Sequence, residues 1–526
     1  MKHTIDYDQL GMDWVGDWAG QRRRLTPERL ALIQPETQRR LNYRQLDDAA
    51  RSFAQWLHNK AQLKPGDVIA LIALNRAESL ILYLACGKLG LVLAPISQRL
   101  GHEEAASLLT RLKPQLVVYD TELADRVYAL KSVIGACRSL SVGGAKSDYQ
   151  REVVGIQPDR INRPVAMAET SLLVHTGGST GLPKICAISY RQMLWNAFEL
   201  MTAAPEGLGN RREMVLFPLY HIGGWNSVMP ILQAGGCVVL PERFAPEAAL
   251  ACIADESINH FGAVEAMLQA MIACPTFAQT PLQTLDGITT AGAPCAPATM
   301  EAFFARGVPI SQAYGLTEAG PSNLYNLRAG QSLEALRATS ASVGHALLYS
   351  DYCITNTTTG SRVAEGEVGE LYLRSAHNFS GYWDDPQQTA DRMSADGWVG
   401  TGDLAKARPD GRLELVGRVD NLLVIGGENV AAEALERLLE GHAKINQALV
   451  FGIADARWGE RAVACVVGPE PQAVAALNQW ARQTLAPYQC PIDWQMLDAL
   501  PLTGAGKLDR RQARADYLAQ AIGDKP

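Results

Sequence analysis

From residue 67 onward, short apolar runs alternate with helix-like stretches: "DVIALIAL", "AESLILYLACGKLG", "LVLAPI", "HEEAASLLTRL", "LVVYD". A short run without polar alternation is apolar on both faces, so each such strand must be covered from two sides, and the intervening helices do the covering. The alternation resumes at 214 with "MVLF", "CVVL", "FGAV", "GITTA" and "VPISQ", separated by helical patterns near 225–234, 246–255, 265–273 and 296–306. This predicts an α/β chain of stacked βα sheets, largely parallel, with ligands at the carboxyl ends of the strands. Three glycine-bearing loops stand at such ends: "HTGGSTGLPK" at 175–184, "AGAP" at 291–294 and "AYGLTEAG" at 313–320.

After about 340 the texture changes to alternating segments such as "GELYLRS", punctuated by "PDG" and "ADG", as in an antiparallel β subdomain. Past "GRVDN" a compact α+β tail is expected. "LLVI" reads as a strand, "GGEN" as a turn, and "AAEALERLLE" as a helix presenting Leu435, Leu438 and Leu439 on one face. "ALVFGI", "AVACVV", a helix near 471–485 and "PLTGAGKLDRR" complete it. The change of pattern puts the domain boundary at Asp420, leaving a large N-terminal domain, 1–419, and a small C-terminal one, 420–526.

Composition narrows the partners. Lys and Arg total 48 against 55 Asp and Glu, a formal net charge of -7, so there is no general attraction to nucleic acid or anionic membrane and any anion site must be local. The opening "MKHTIDYDQLGMDW" carries acids where a signal peptide carries its apolar core, so a cytoplasmic protein is expected. The apolar region from Leu80 to Ile96 is interrupted by Lys88 and Pro95 and reads as a helix followed by a buried strand rather than a membrane span. Ten scattered cysteines, without a Cys-x-x-Cys pair or a His cluster, suggest reduced thiols and neither zinc nor a disulfide framework.

Within the first loop, Gly177, Gly178 and Gly181 free the backbone to turn consecutive N–H groups toward one anion. Thr176, Ser179 and Thr180 add hydroxyls, and Lys184 adds charge. A phosphate grip and an ordinary surface turn both remain open on these residues alone. The loop is not the P-loop of kinases and GTPases, because Leu182 and Pro183 separate Gly181 from Lys184.

Taken with "AYGLTE", "TGDL" at 401–404, "GRVDN" at 417–421, "GGENV" at 426–430 and "GAGK" at 504–507, this loop makes the chain resemble the adenylate-forming, AMP-binding superfamily, in its acyl-CoA synthetase branch, from about residue 28 to 515. The resemblance implies a mobile C-terminal domain, ATP and Mg2+, an acyl-adenylate made from a carboxylic acid, and transfer to the thiol of coenzyme A. It implies that Thr176, Gly177, Gly178, Ser179, Thr180, Gly181 and Lys184 wrap the β- and γ-phosphates. Gly292, Ala293 and Pro294 would line the adenine, and Gln312, Ala313, Tyr314, Gly315, Leu316 and Thr317 the nucleotide floor, with Thr317 on a phosphate. Glu318 would hold Mg2+, Asp403 and Arg418 the ribose, and Gly426 and Gly427 would lie along the pantetheine path. Asp420 matches the hinge, with Asn421 replacing an acid often found beside it. Lys507 would be the catalytic cation of adenylation, alongside Thr317, Lys184 and a gating His221.

By the same resemblance the acid pocket lies beyond "PLYHIGGWN", with His221, Gly224 and Trp225 as substrate residues. Between Leu216 and Leu232 there is no Asp or Glu to pair a substrate ammonium, which argues against an amino acid and for a medium- or long-chain fatty acid or an aryl acid. Glu265, where relatives often carry Pro, either points outward or makes the tunnel more polar. The expected function is an AMP-forming carboxylate:CoA ligase. A ligase loading an acyl carrier protein and a non-catalytic nucleotide-binding protein are the alternatives, and a homodimer is compatible with the sequence.

Overall fold

A computed structural model describes residues 5–177, 182–204, 207–328, 330–426, 428–455, 457–468, 470, 473–490, 492–501 and 508–523. By packing, the chain divides into two units, Met1–Tyr352 with Leu373–Val399, and Cys353–Tyr372 with Gly400–Pro526.

The first unit holds two large sheets. The seven-stranded one runs Gly381–Tyr382, Lys184–Ser189, Thr170–Thr176, Val92–Pro95, Val68–Ile72, Leu116–Asp120, Arg138–Val142. Its interior is parallel, as the apolar runs predict, and strands 68–72 and 116–120 are buried at every position. One edge is antiparallel, where Thr170–Thr176 turns back into Lys184–Ser189. The nine-stranded sheet has a parallel centre, Ile310–Leu316, Gly287–Thr290, His260–Ala263, Arg212–Val215, Cys237–Val239 and Leu30–Gln34, with antiparallel strands added at both edges.

The apolar stretch at 80–96 is a helix, Ala77–Leu89, followed by the strand Val92–Pro95. The helix is buried all round and stops at Gly90, whose φ of 65° is the left-handed conformation that closes helices without a Cβ penalty. Lys88 is tolerated inside because its ammonium lies between Asp17 and Asp47, 2.6 Å from the latter, so a buried cation is paired rather than stranded.

The second unit contains most of a four-stranded sheet, in the order Ser350–Thr355, Gly369–Ser375, Val399–Ala407, Leu413–Arg418, and a five-stranded sheet built on Gln447–Asp455 and Gly459–Val467. In the helix Ala432–Glu440, Leu435 and Leu439 are fully buried, but Leu438 is 45% exposed, so the expected three-leucine face is two leucines wide. This unit begins upstream of Asp420. Helix 432–440 packs on strand 413–418, with Arg437 donating to the Val416 carbonyl at 2.8 Å, so these segments bury surface together despite their different textures. All ten cysteines are unpaired and six are buried. Among the described residues no helix is long and apolar enough to cross a membrane.

Candidate active site

Thr176 stands opposite Lys184 in the antiparallel ladder, so the glycine-rich segment is a hairpin connection. The spacing that separates Lys184 from the last glycine follows from this, because the lysine opens a strand rather than a helix. Gly177 is exposed with open space where a Cβ would stand, while Gly178, Ser179, Thr180 and Gly181 lie outside the described residues.

Three distant segments meet beside Lys184. Its ammonium lies 4.9 Å over the ring of Tyr382, which strand pairing sets opposite Cys186. The Tyr382 hydroxyl donates to Glu318 Oε1 at 2.7 Å. Burial, reinforced by the Glu318 charge, pushes the Tyr382 phenol far up, so it remains a hydrogen donor at neutral pH. Thr317 and Glu318 are buried in a single 3-10 turn, Thr317–Ala319. The turn is fixed by Gln192 Nε2 donating to the Thr317 carbonyl at 3.1 Å and Phe379 N–H to the Glu318 carbonyl at 2.9 Å. Tyr382 was not foreseen. Its hydroxyl needed a buried partner, but the partner is 64 residues away and no spacing announces it.

The residues expected to form the nucleotide floor are a second cluster of the same unit. Gly292 has a φ of 85°, and Gly292, Ala293 and Pro294 are exposed just past strand Gly287–Thr290. Gln312 ties that loop to the neighbouring strand, accepting from Cys295 N–H at 3.1 Å and donating to the Ser340 carbonyl at 2.6 Å. Ala313, Tyr314, Gly315 and Leu316 continue this strand, and a Cβ on Gly315 would stand 2.5 Å from the Pro321 carbonyl oxygen. Glu265 is half-buried. It accepts from Ala296 N–H at 3.0 Å and the Thr299 hydroxyl at 3.1 Å, holding the loop to the start of helix Pro297–Phe304.

His221 is the N-cap of helix Ile222–Ala234, its Nδ1 accepting from Gly223 N–H at 3.1 Å, and it is exposed. Next to it, His175 accepts from Ser97 N–H at 3.1 Å, and burial, with the nearby His221, pushes it down to about 4. His175 is therefore neutral at pH 7. Two of the expected substrate residues are closely packed. Trp225 is fully buried, its ring 4.6 Å from Tyr83 and its Nε1 donating to the Leu219 carbonyl, so it belongs to the core. Gly224 serves close packing, since a Cβ there would stand 2.6 Å from the Pro218 oxygen. The helix instead turns Asn226, Ser227, Pro230 and Ile231 toward a cavity of about 110 Å³. Ala291 and Ala313, in or beside the segments expected to form the nucleotide floor, line the same cavity.

In the second unit, Asp403 and Arg418 face each other across paired strands with an ion pair of 3.0 Å. Asp420 lies in the 3-10 turn Val419–Asn421, and Gly426 has a φ of 61° with its would-be Cβ 3.0 Å from the Trp458 ring. Gly427 and Lys507 lie outside the described residues. Asn421 donates through Nδ2 to Glu433, which also pairs with Arg510 at 3.3 Å and accepts from Arg418 N–H at 3.2 Å. An acid at 421 would set two carboxylates side by side. Asn421→Asp is expected to destabilise the chain by about 1–3 kcal/mol, with recovery when Glu433→Gln is added. A denaturation midpoint unchanged by the single substitution would contradict this.

Among the described residues Glu318 is engaged through Oε1 alone, and its Oε2 accepts no hydrogen bond. Among the described residues there is no cluster of three or more candidate metal ligands. One carboxylate suits Mg2+ that keeps waters and takes further oxygens from a polyphosphate, so the residues present fit that ion when it arrives with a nucleotide.

The model of the AMP-binding enzyme family matches residues 20–383, and that of the AMP-binding enzyme C-terminal domain matches 434–507. A feruloyl-CoA synthase from Amycolatopsis sp is 30% identical over 506 residues, covering 96% of this chain and 99% of the relative. A 2-succinylbenzoate–CoA ligase from Geobacillus kaustophilus is 31% identical over 507 residues, covering 96% of this chain and 98% of the relative. The crystal structure of ATP-bound MatB from Rhodopseudomonas palustris has the same fold, with a TM-score of 0.85 at 23% identity over 96% of this chain and 99% of that one. The glycine-bearing hairpin, buried glutamate turn and Asp403–Arg418 pair thus occur in a chain matched along almost its whole length, and the protein belongs to the AMP-binding enzyme family.

Proposed function

We propose that the protein is an AMP-forming carboxylate:CoA ligase that activates an aryl or fatty acid. The observation that carries this reading is a cavity whose lining includes Ala291 and Ala313, in or beside the segments expected to hold the nucleotide, which supports reading it as the acid pocket. Full-length relatives named as CoA ligases support CoA rather than a carrier protein as the acceptor.

In this reading Thr176, Gly177, Gly178, Ser179, Thr180, Gly181 and Lys184 hold the β- and γ-phosphates, and Tyr382 keeps Lys184 and Glu318 in place. Gly292, Ala293 and Pro294 take the adenine, Gln312 to Thr317 the floor beneath it, and Asp403 with Arg418 the ribose. Glu318 would hold Mg2+, which neutralises phosphate charge when bound. The substrate carboxylate, passing His221, attacks the α-phosphorus; a new O–P bond forms and the bond to pyrophosphate breaks. Lys507 offsets the negative charge concentrated there. A turn about Asp420 then brings Gly426 and Gly427 to the pantetheine path, and the CoA thiolate forms the C–S bond as AMP leaves. In this reading Asp420 serves as the hinge.

Pyrophosphate release measured over a panel of carboxylic acids, with and without CoA, tests the proposal. Acid-dependent release with formation of an acyl-CoA and AMP is expected. Release that CoA leaves unaccelerated while a carrier protein speeds it would favour the carrier-loading alternative, and no acid-dependent release would exclude a ligase.

A further inference from the structure

The cavity is not apolar throughout. Leu200, Phe217, Ile231 and Leu324 give it greasy walls, but its floor is a chain of polar side chains from four strands and loops. Arg328 Nη1 donates to the Tyr325 hydroxyl at 2.7 Å, and Tyr325 and Thr289 share a 2.6 Å hydrogen bond. Thr289 lies 3.0 Å from His260 Nε2, and His260 Nδ1 lies 2.7 Å from Glu213 Oε2. Burial holds His260 down at about 4, so it is neutral, with Nδ1–H donating to Glu213 and Nε2 accepting from Thr289. Every proton in the chain then points one way, from Arg328 to Glu213, and each hydroxyl is already spoken for.

Arg328 is the exception. All its hydrogen bonds leave from Nη1, to Tyr325, to Thr289 and to the Ile288 carbonyl at 3.2 Å. Among the described residues, Nε and Nη2 have no acceptor, and the side chain borders the cavity. A guanidinium edge with unspent parallel donors matches a ligand oxygen, best a carboxylate. The arm is seated by a glycine: a Cβ on Gly287 would stand 2.4 Å from Arg328 Nε. Arg328 Nη1 reaches the Ile288 carbonyl and the Thr289 hydroxyl, two to three residues before Ala291, which at about 3.3 Å per residue sets it roughly 7–10 Å from the segment at Ala291.

We propose that the acid this enzyme activates carries a second oxygen function at its far end, received by Arg328. This rests on the acid-pocket reading above, and it narrows the substrate to an acid about one ring and a short linker long, rather than a plain alkyl chain. The test is calorimetric titration of the full chain with three phenylpropanoic acids that differ only at the para position: carboxylate, hydroxyl or methyl. Either oxygen-bearing acid is expected to bind at least tenfold more tightly than the methyl twin. Arg328→Met should reduce that gap to less than threefold while leaving the methyl twin unchanged, which shows that the pocket is still folded, and Gly287→Ala should do the same by displacing the arm. Equal binding of all three acids, or a gap that survives Arg328→Met, overturns the proposal. Pyrophosphate release from the same acids reports separately on the ligase reading, since binding preference without turnover would sink that reading alone.

Discussion

Replacing Lys507 by alanine is expected to lower acyl-adenylate formation by about two to three orders of magnitude while sparing thioester formation from supplied adenylate. The reasoning is electrostatic. Adenylation presses a carboxylate against an anionic phosphate, so negative charge peaks in the transition state. One ammonium about 4 Å away at an effective dielectric near 20 contributes roughly 4 kcal/mol. The second half-reaction starts from an already activated acyl group and gains little from that cation. Rapid-quench measurement of each half-reaction separates the two, and an equal loss in both would remove Lys507 from its assigned role.

Glu318→Gln is expected to cost about a hundredfold in pyrophosphate release and Tyr382→Phe about tenfold, both partly recoverable with added Mg2+. Glutamine keeps the shape of residue 318 and its acceptor for Tyr382 but removes the charge that suits a hard cation. Phenylalanine removes only the 2.7 Å hydrogen bond that orients the carboxylate. Mg2+ titrations of activity distinguish this from simple loss of packing, because a purely structural role for Tyr382 would lower the thermal midpoint without moving the Mg2+ requirement. An unchanged Mg2+ requirement in both variants would remove Glu318 as the metal-facing residue.

Much of the frame was legible in the chain. Strands 68–72, 92–95 and 116–120 coincide with apolar runs, because a strand covered on both faces has little room for unpaired polar groups. Glycine loops at strand ends were legible for a related reason, since tight backbone paths such as Gly292 at a φ of 85° exclude most side chains. Side-chain facing was less legible. Trp225 and Ser227 are two positions apart on one helix, yet one packs on Tyr83 and the other borders the cavity, a phase set by where His221 caps the helix. Leu438 turns outward beside Leu439 for the same geometric reason.

The sequence by itself determined the family, the parallel sheets and the order of the glycine-bearing loops, since these depend on local composition and on motifs that are contiguous in the chain. Only the tertiary structure decided that Tyr382 joins Lys184 to Glu318, that Glu433 answers Asn421, and that Arg328 ends a proton-ordered chain reaching Glu213. These side chains are ordinary residue types drawn from remote segments. What brings them together is burial, which favours a partner for each polar group, and those partners come from segments that only the fold makes neighbours.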